Sequence, residues 1–160
     1  MKHISQESID KAIGVIDELN DDQLEKIFEA FAEAQPVLLG YVMTAPQEYE
    51  NDELEGLLVY YFCLICECFK QEGLTSTAIT EKQIEEHQTP YFEMLDAYFE
   101  NDDDELIDAY VDQPQLSKFM AVEVSTEDDD GTSLSDETAS QVFIVCLSVV
   151  ALLNQSNSEE

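Results

Sequence analysis

The sequence predicts an all-α protein, built as a bundle of six helical segments or as a short helical stack. Apolar residues recur with helical spacing along most of the chain. They make up 44% of the 160 residues, which is enough for a core in one domain. The sequence offers one candidate hairpin, near the C-terminus. We therefore expect a single helical domain over residues 1–160.

The first two segments follow from an amphipathic pattern and from one proline. Ile9 and Ile16 lie on the apolar stripe of the first segment. Asn20 offers an N-cap for the second segment. We break that segment at Gln35, because Pro36 can begin a helix but disrupts a helix interior. A short further helix is expected after the proline.

The third segment is expected to lie in the centre of the domain. It spans residues 53–71, after a predicted loop over 44–52, and Gly73 provides its stop signal. Its apolar residues cover nearly the whole helical surface, which is typical of a buried helix.

The fourth and fifth segments are defined by capping residues and prolines. Thr80 and Gln83 have the spacing of a capping box, so the fourth segment begins there. We expect a break at Pro90. Residues 101–104 cap the fifth segment, which Pro114 interrupts.

The last third of the chain allows two interpretations. An acidic loop is expected over residues 125–136, followed by a sixth segment, about 137–153, that is apolar nearly all round. Alternatively, residues 120–125 pair with the β-branched residues of 142–150 in a hairpin within 119–150. A lone hairpin has little stability, so we favour the helix.

Two short motifs each occur twice, which suggests an internal duplication. One is an Asp-Asp pair followed two residues later by Leu, and the other is Gln-Pro followed two residues later by Leu. The copies lie at 21–24 and 103–106, and at 35–38 and 113–116. A duplication would give two three-helix units, 5–71 and 80–154. The alternative is chance similarity in an acidic chain.

The charge excludes several classes of function. Six Lys and no Arg stand against 37 Asp and Glu, for a net charge of −31. A chain with so few cations is not expected to bind nucleic acid or an anionic membrane directly. The absence of Arg also excludes an arginine clamp for phosphate or carboxylate groups.

The four cysteines are expected to be buried thiols. Cys63, Cys66 and Cys68 point in different directions around one helix, so they cannot converge on one zinc ion. Cys146 has no Cys or His near it in sequence. Free thiols and the absence of a secretory pattern at the N-terminus predict a cytoplasmic protein. The longest apolar runs are shorter than the roughly 20 residues of a membrane span.

No catalytic, metal-binding or cofactor-binding residue is predicted. His3 lies near the terminus, and His87 is expected on a solvated face. Glu67 is expected on an exposed seam, paired with Lys70. If the domain has a ligand pocket, Glu67 is our first candidate for its lining. Residues 126–137 resemble a calcium loop but lack its first carboxylate.

These observations favour a non-catalytic, acidic protein-binding module, an adaptor or an inhibitor of a basic protein. Its many carboxylates should attract a basic protein surface, and a smaller apolar centre should supply affinity. One alternative is a DNA mimic that blocks a nucleic-acid-binding protein. Another is a helical protein that binds a small molecule.

Added sodium chloride is expected to raise the melting temperature, because the net charge of −31 makes the folded chain repel itself. Salt at about 0.15 M shortens the screening length to roughly 8 Å. Thermal unfolding followed by circular dichroism at increasing salt tests this expectation. A constant or falling melting temperature would contradict it.

Overall fold

The computed structural model describes residues 3–76, 78–125, 136–155 and 157–158, and these ranges form eight helices. The helices are α1 (Gln6–Asp17), α2 (Asp21–Ala34), α3 (Pro36–Glu48), α4 (Glu53–Gln71), α5 (Glu81–Asn101), α6 (Asp104–Val111), α7 (Pro114–Ser125) and α8 (Asp136–Gln155). The all-α prediction is confirmed. The number of helices exceeds the six predicted segments, because Pro36 and Pro114 each begin a separate helix.

One short β pair accompanies the helices. Strands β1 (Thr75–Ser76) and β2 (Asn157–Ser158) pair antiparallel, with Thr75 opposite Ser158. They follow α4 and α8, respectively. The predicted acidic loop lies outside the described residues except for its first and last positions, and so does most of the calcium-like sequence.

The predicted capping residues begin and end the helices as expected. Asn20 and Thr80 each form a capping box with the glutamine three residues later. Gly73 has a φ of 76° and ends α4. The amide of Gly73 donates to Lys70 O, and the amide of Leu74 donates to Phe69 O, which is the bond pattern of a Schellman motif.

Pro46 and Pro90 lie inside helices, where the sequence predicted a loop and a break. In both places the packing of neighbouring residues accounts for the difference. The expected loop over 44–52 is wrong in its first half, because α3 continues past Pro46 to Glu48 and buries Ala45. The expected break at Pro90 is also wrong. Helix α5 continues through it because Tyr91 and other buried residues on both sides of Pro90 share one core-facing side.

The hairpin alternative for residues 119–150 is wrong, since these positions belong to α7 and α8 where the structure describes them. Val142, Val145 and Val149 are all buried. Burial against neighbouring helices outweighs the modest strand preference of valine.

Helices α4 and α8 form the centre of the molecule, as their apolar surfaces predict. They pack against each other, with α1, α2 and α3 on α4, and with α3, α5, α6 and α7 on α8. Residues 137–155 of α8 are long and apolar enough to cross a membrane by composition, with a mean hydropathy of 1.6. In this fold 78% of that segment is buried among the other helices.

Two buried glutamines connect the halves of the chain reciprocally. The amide of Ile4, before α1, donates to Gln113 Oε1 at 2.7 Å. The amide of Ile79, before α5, donates to Gln35 Oε1 at 2.8 Å. Each glutamine precedes the proline that begins the next helix. Gln113 also donates through Nε2 to Asn154 Oδ1, at 2.8 Å.

The isoleucines at these bonds pack in the same way in both halves. Ile4 lies just before the N-cap of α1 and is buried together with Ile9. Ile79 lies just before the N-cap of α5 and is buried together with Ile84. This spacing is that of a hydrophobic staple. The structure therefore holds the N-terminal segment in place from Ile4 onward.

We expect Gln113→Ala and Gln35→Ala each to lower the free energy of unfolding by about 1–3 kcal/mol, because each leaves a buried amide without an acceptor. Urea unfolding measures the change. The matched control is Gln47→Ala, which removes an exposed glutamine side chain and should alter stability by less than about 0.5 kcal/mol. Equal effects of all three substitutions would contradict this role.

Candidate functional site

A cleft of about 400 Å³ opens between the end of α5 and helices α6, α7 and α8. Its apolar lining consists of Ile107, Pro114, Ala121 and Phe143. Its polar lining consists of Tyr98, Asp108, Gln115, Ser117 and Lys118. The polar residues of α6 and α7 reach the cleft because the αL residue Asp112 ends α6 just before Pro114 begins α7. We call this feature the α5–α8 cleft.

Ser117 is the unusual polar group of the α5–α8 cleft. Only 5% of the residue is exposed, and its Oγ has no hydrogen-bond partner within the described part of the chain. Its backbone amide donates to Gln113 O at 2.9 Å. A buried hydroxyl is normally paired, because leaving one unpaired lowers stability.

Exposed apolar side chains lie beside the α5–α8 cleft. Phe99 is 55% exposed, and its ring centroid is 5.0 Å from that of the lining residue Tyr98. Val122, which follows the lining residue Ala121, is also exposed. Exposed apolar side chains next to a cleft could contact a partner that binds there.

The surroundings of the α5–α8 cleft are strongly acidic. Residues 93–123 contain ten Asp and Glu, against Lys118 as the one cation. The side chains of Asp108 and Lys118 both line the cleft, yet they do not form an ion pair with each other. The local charge therefore favours a cationic or neutral occupant over an anionic one.

A second polar cluster lies in the interior, around His87. Its Nε2 is 3.0 Å from Ser148 Oγ, and its Nδ1 is 2.8 Å from the Tyr110 hydroxyl. Ser148 Oγ also lies 3.0 Å from the Tyr41 hydroxyl. The ring of Tyr91 stacks on the imidazole, and its hydroxyl donates to Ile144 O. These bonds connect α3, α5, α6 and α8.

The prediction of a solvated His87 is wrong, because the residue is only 3% exposed. Burial lowers its pKa to about 4, so the ring is neutral near pH 7. His87 lies three residues after Ile84 and four before Tyr91, a spacing that places it on the buried side of a continuous helix. The expected break at Pro90 placed His87 and Tyr91 on separate segments, so the sequence analysis did not use this spacing. Because Ser148 is fully buried as well, we interpret this Ser–His pair as structural.

The prediction of an exposed Glu67 paired with Lys70 is wrong as well. Its side chain is 4% exposed, and Oε1 accepts a bond from Gln71 Nε2 at 3.1 Å instead of pairing with Lys70. A smaller cleft of about 340 Å³ is lined by Cys66, Lys70 and other residues of α2, α4 and α8, but Glu67 is not part of its lining.

The prediction of buried thiols is confirmed, since all four cysteines are free and buried. Burial raises the pKa of Cys63 to about 11 and that of Cys68 to about 12, and it raises those of Cys66 and Cys146 further. Thiols with such pKa values are poor nucleophiles near neutral pH. Among the described residues, no group of three or more His, Cys, Asp or Glu side chains could hold a metal ion.

Comparison with known proteins identifies no relative of this chain. The chain matches no family model, and it shows no significant similarity to a curated protein or to a solved structure.

The buried state of His87 can be tested by pH. The unfolded chain binds the imidazole proton near pH 6.5, whereas the folded protein binds it only near pH 4. The unfolded state therefore holds more protons in this interval, and stability falls as the pH is lowered. We expect wild type to lose about 2 kcal/mol relative to His87→Gln between pH 7 and pH 5.

Urea unfolding of both proteins across this pH range measures the difference. The comparison with His87→Gln cancels the titration of the shared carboxylates. A stability difference that stays constant with pH would show that His87 is solvated.

Proposed function

We propose that this protein is a non-catalytic, acidic binding module that attaches to a basic surface of another protein, as an adaptor or an inhibitor. The observation that carries the proposal is the α5–α8 cleft, a concave site with apolar and polar lining residues, exposed Phe99 next to the lining residue Tyr98, and carboxylates in the surrounding sequence. Affinity between proteins depends on a desolvated centre, whereas charges at the rim mainly raise the association rate.

The charge supports a basic partner in particular. Each half of the chain is acidic, and the net charge of −31 produces a long-range attraction for cations. Phe99 and Val122 are large apolar side chains that remain exposed in the described part of the fold. A basic surface with an apolar or amphipathic projection complements both features.

The buried His87 cluster supports a role without catalysis. A general base has to reach the substrate, but the Nε2 atom of His87 is directed at Ser148 in the interior. Ser117, which lines the α5–α8 cleft, makes no side-chain hydrogen bond to a histidine within the described part of the chain. The cleft therefore offers groups for binding, and we assign it that role.

We also propose that the chain arose by internal duplication, with units at 5–71 and 80–154. Each unit contains four helices, and not the three expected, because the Gln-Pro motif divides one segment in each half. The reciprocal bonds of Gln35 and Gln113 support this proposal, since equivalent residues make equivalent contacts across the two halves. The pairing of β1 with β2 has the same reciprocal character.

Affinity capture with Phe99→Ser tests the binding function. The tagged protein should retain a basic protein from the source cell, and Phe99→Ser should lose it. The matched control is Phe92→Ser, which removes the other exposed phenylalanine of α5, two helical turns from Phe99. Loss with both variants, or with neither, would contradict binding at the α5–α8 cleft.

The salt dependence of the captured complex separates the two protein-binding alternatives. A partner that remains bound at high salt supports an adaptor or inhibitor with an apolar centre. A DNA-binding partner that is lost steeply with salt and displaced by DNA supports the DNA mimic instead. Capture of no protein, together with a small molecule that co-purifies with the chain, would contradict both and favour a small-molecule ligand.

A further inference from the structure

We propose that the segment before α1 is a strap that holds one wall of the α5–α8 cleft closed, so that release of this segment opens the cleft. We call residues 3–5 the N-terminal strap and residues 111–113 the α6–α7 junction. The inference rests on the proposed function only in treating the cleft as the binding site. It is carried by the contacts between strap and junction, and by the position of the junction beside the cleft lining.

Two adjacent residues of the N-terminal strap contact two adjacent residues of the α6–α7 junction. The Nε2 atom of His3 lies 2.9 Å from Asp112 Oδ1. The amide of Ile4 donates to Gln113 Oε1 at 2.7 Å, and Ile4 itself is fully buried. The strap therefore crosses from the first half of the chain to the second.

The other end of the N-terminal strap is fixed to the first half of the chain. The amide of Ser5 donates to Glu72 Oε1 at 2.8 Å, just after the end of α4. The hydroxyl of Ser5 accepts the amide of Ser8 and so caps α1. Because α1 and α4 hold the strap from this side, its contacts with the junction restrain the junction relative to the central helices.

The α6–α7 junction lies between two groups of residues that line the α5–α8 cleft. Ile107 and Asp108 precede it on α6, and Pro114 follows it directly at the start of α7. Seven of the nine residues that line the cleft belong to these two helices. A change in the angle between α6 and α7 therefore moves most of the cleft wall.

The backbone of the α6–α7 junction is strained where the N-terminal strap contacts it. Asp112 has a φ of 57°, a left-handed conformation that is unfavourable for residues other than glycine. His3 contacts the side chain of this residue, and Ile4 contacts the residue that follows it. Release of the strap withdraws both contacts, and the junction can then relax.

Opening of the wall also exposes a buried hydroxyl to water. Ser117 lies on the first turn of α7, and its amide donates to Gln113 O in the junction. Only 5% of Ser117 is exposed, and its Oγ makes no hydrogen bond within the described part of the chain. Hydration of this hydroxyl in the open state offsets part of the unfavourable free energy of opening.

Thiol labelling of Ser117→Cys measures the opening of the wall. The introduced thiol replaces a buried hydroxyl, so N-ethylmaleimide reaches it only when the wall opens. Cys146 on α8 is the internal reference, because it is 2% exposed and becomes reactive only when the core opens. The measured quantity is the ratio of the two labelling rates, obtained by mass spectrometry of proteolytic fragments.

Ile4→Ala is the variant that weakens the strap, because it removes most of the buried side chain that holds residues 3–5 in place. It should raise the labelling ratio about tenfold or more. Ile79→Ala is the matched control, since Ile79 is equally buried before α5 but its amide donates to Gln35 and not to Gln113. This control should lower the overall stability as well and leave the labelling ratio unchanged.

Equal labelling ratios in Ile4→Ala and Ile79→Ala would overturn the strap, because they would show an effect on global stability alone. If Ile4→Ala does not fold, His3→Ala decides the question. It removes only the exposed contact with Asp112 and should raise the ratio about twofold, so an unchanged ratio would overturn the proposal. Faster hydrogen exchange of the Ser117 amide in His3→Ala, with Ser117 itself unchanged, gives an independent readout of the same opening.

The labelling ratio also distinguishes this inference from the proposed function. If Ile4→Ala leaves the ratio unchanged while Phe99→Ser loses the basic protein, the strap fails and the binding module stands. If Ile4→Ala raises the ratio but no basic protein is captured, the strap stands and the protein-binding proposal fails.

Discussion

The packing of α4 against α8 is the constraint on which the rest of the structure depends. In a chain with a net charge of −31, most carboxylates have to stay in water, so the core is built on stretches that carry none, residues 56–66 of α4 and 138–155 of α8. Glu67 of α4 is a buried exception. Helices α4 and α8 are apolar on nearly every side, and each can bury that surface only at the centre of the molecule. The remaining helices pack around this pair, and the acidic side chains of α1, α2 and α5 are exposed.

Buried polar groups then fix how the covering helices sit on the central pair. Gln35 and Gln113 accept bonds from segments on the opposite half of the chain, and His87 links four helices through Ser148 and two tyrosines. A shift of one helix along its neighbour would leave these groups buried without partners, which is unfavourable. The apolar contacts supply most of the stability, and the polar contacts select one arrangement among many of similar hydrophobic burial.

The α5–α8 cleft differs from the rest of the interior, where the buried polar groups described above are hydrogen-bonded. Within the described part of the chain the buried hydroxyl of Ser117 makes no hydrogen bond, and Phe99 leaves an aromatic ring in water, so both reduce the stability of the isolated chain. Local features that oppose stability are typical of binding sites, where a partner completes the missing contacts. The concentration of carboxylates around the cleft fits the same interpretation, since it attracts cations at the expense of self-repulsion.

The sequence by itself determined the all-α class, the central position of α4 and α8, and the helix ends at Asn20, Gly73 and Thr80. Periodicity and capping act over a few residues and can be read locally. Only the tertiary structure decided that α5 continues through Pro90 and that His87 and Glu67 are buried, because packing on other helices outweighs local preference. The cleft also required the fold, since its lining comes from four helices and no local pattern encodes their meeting.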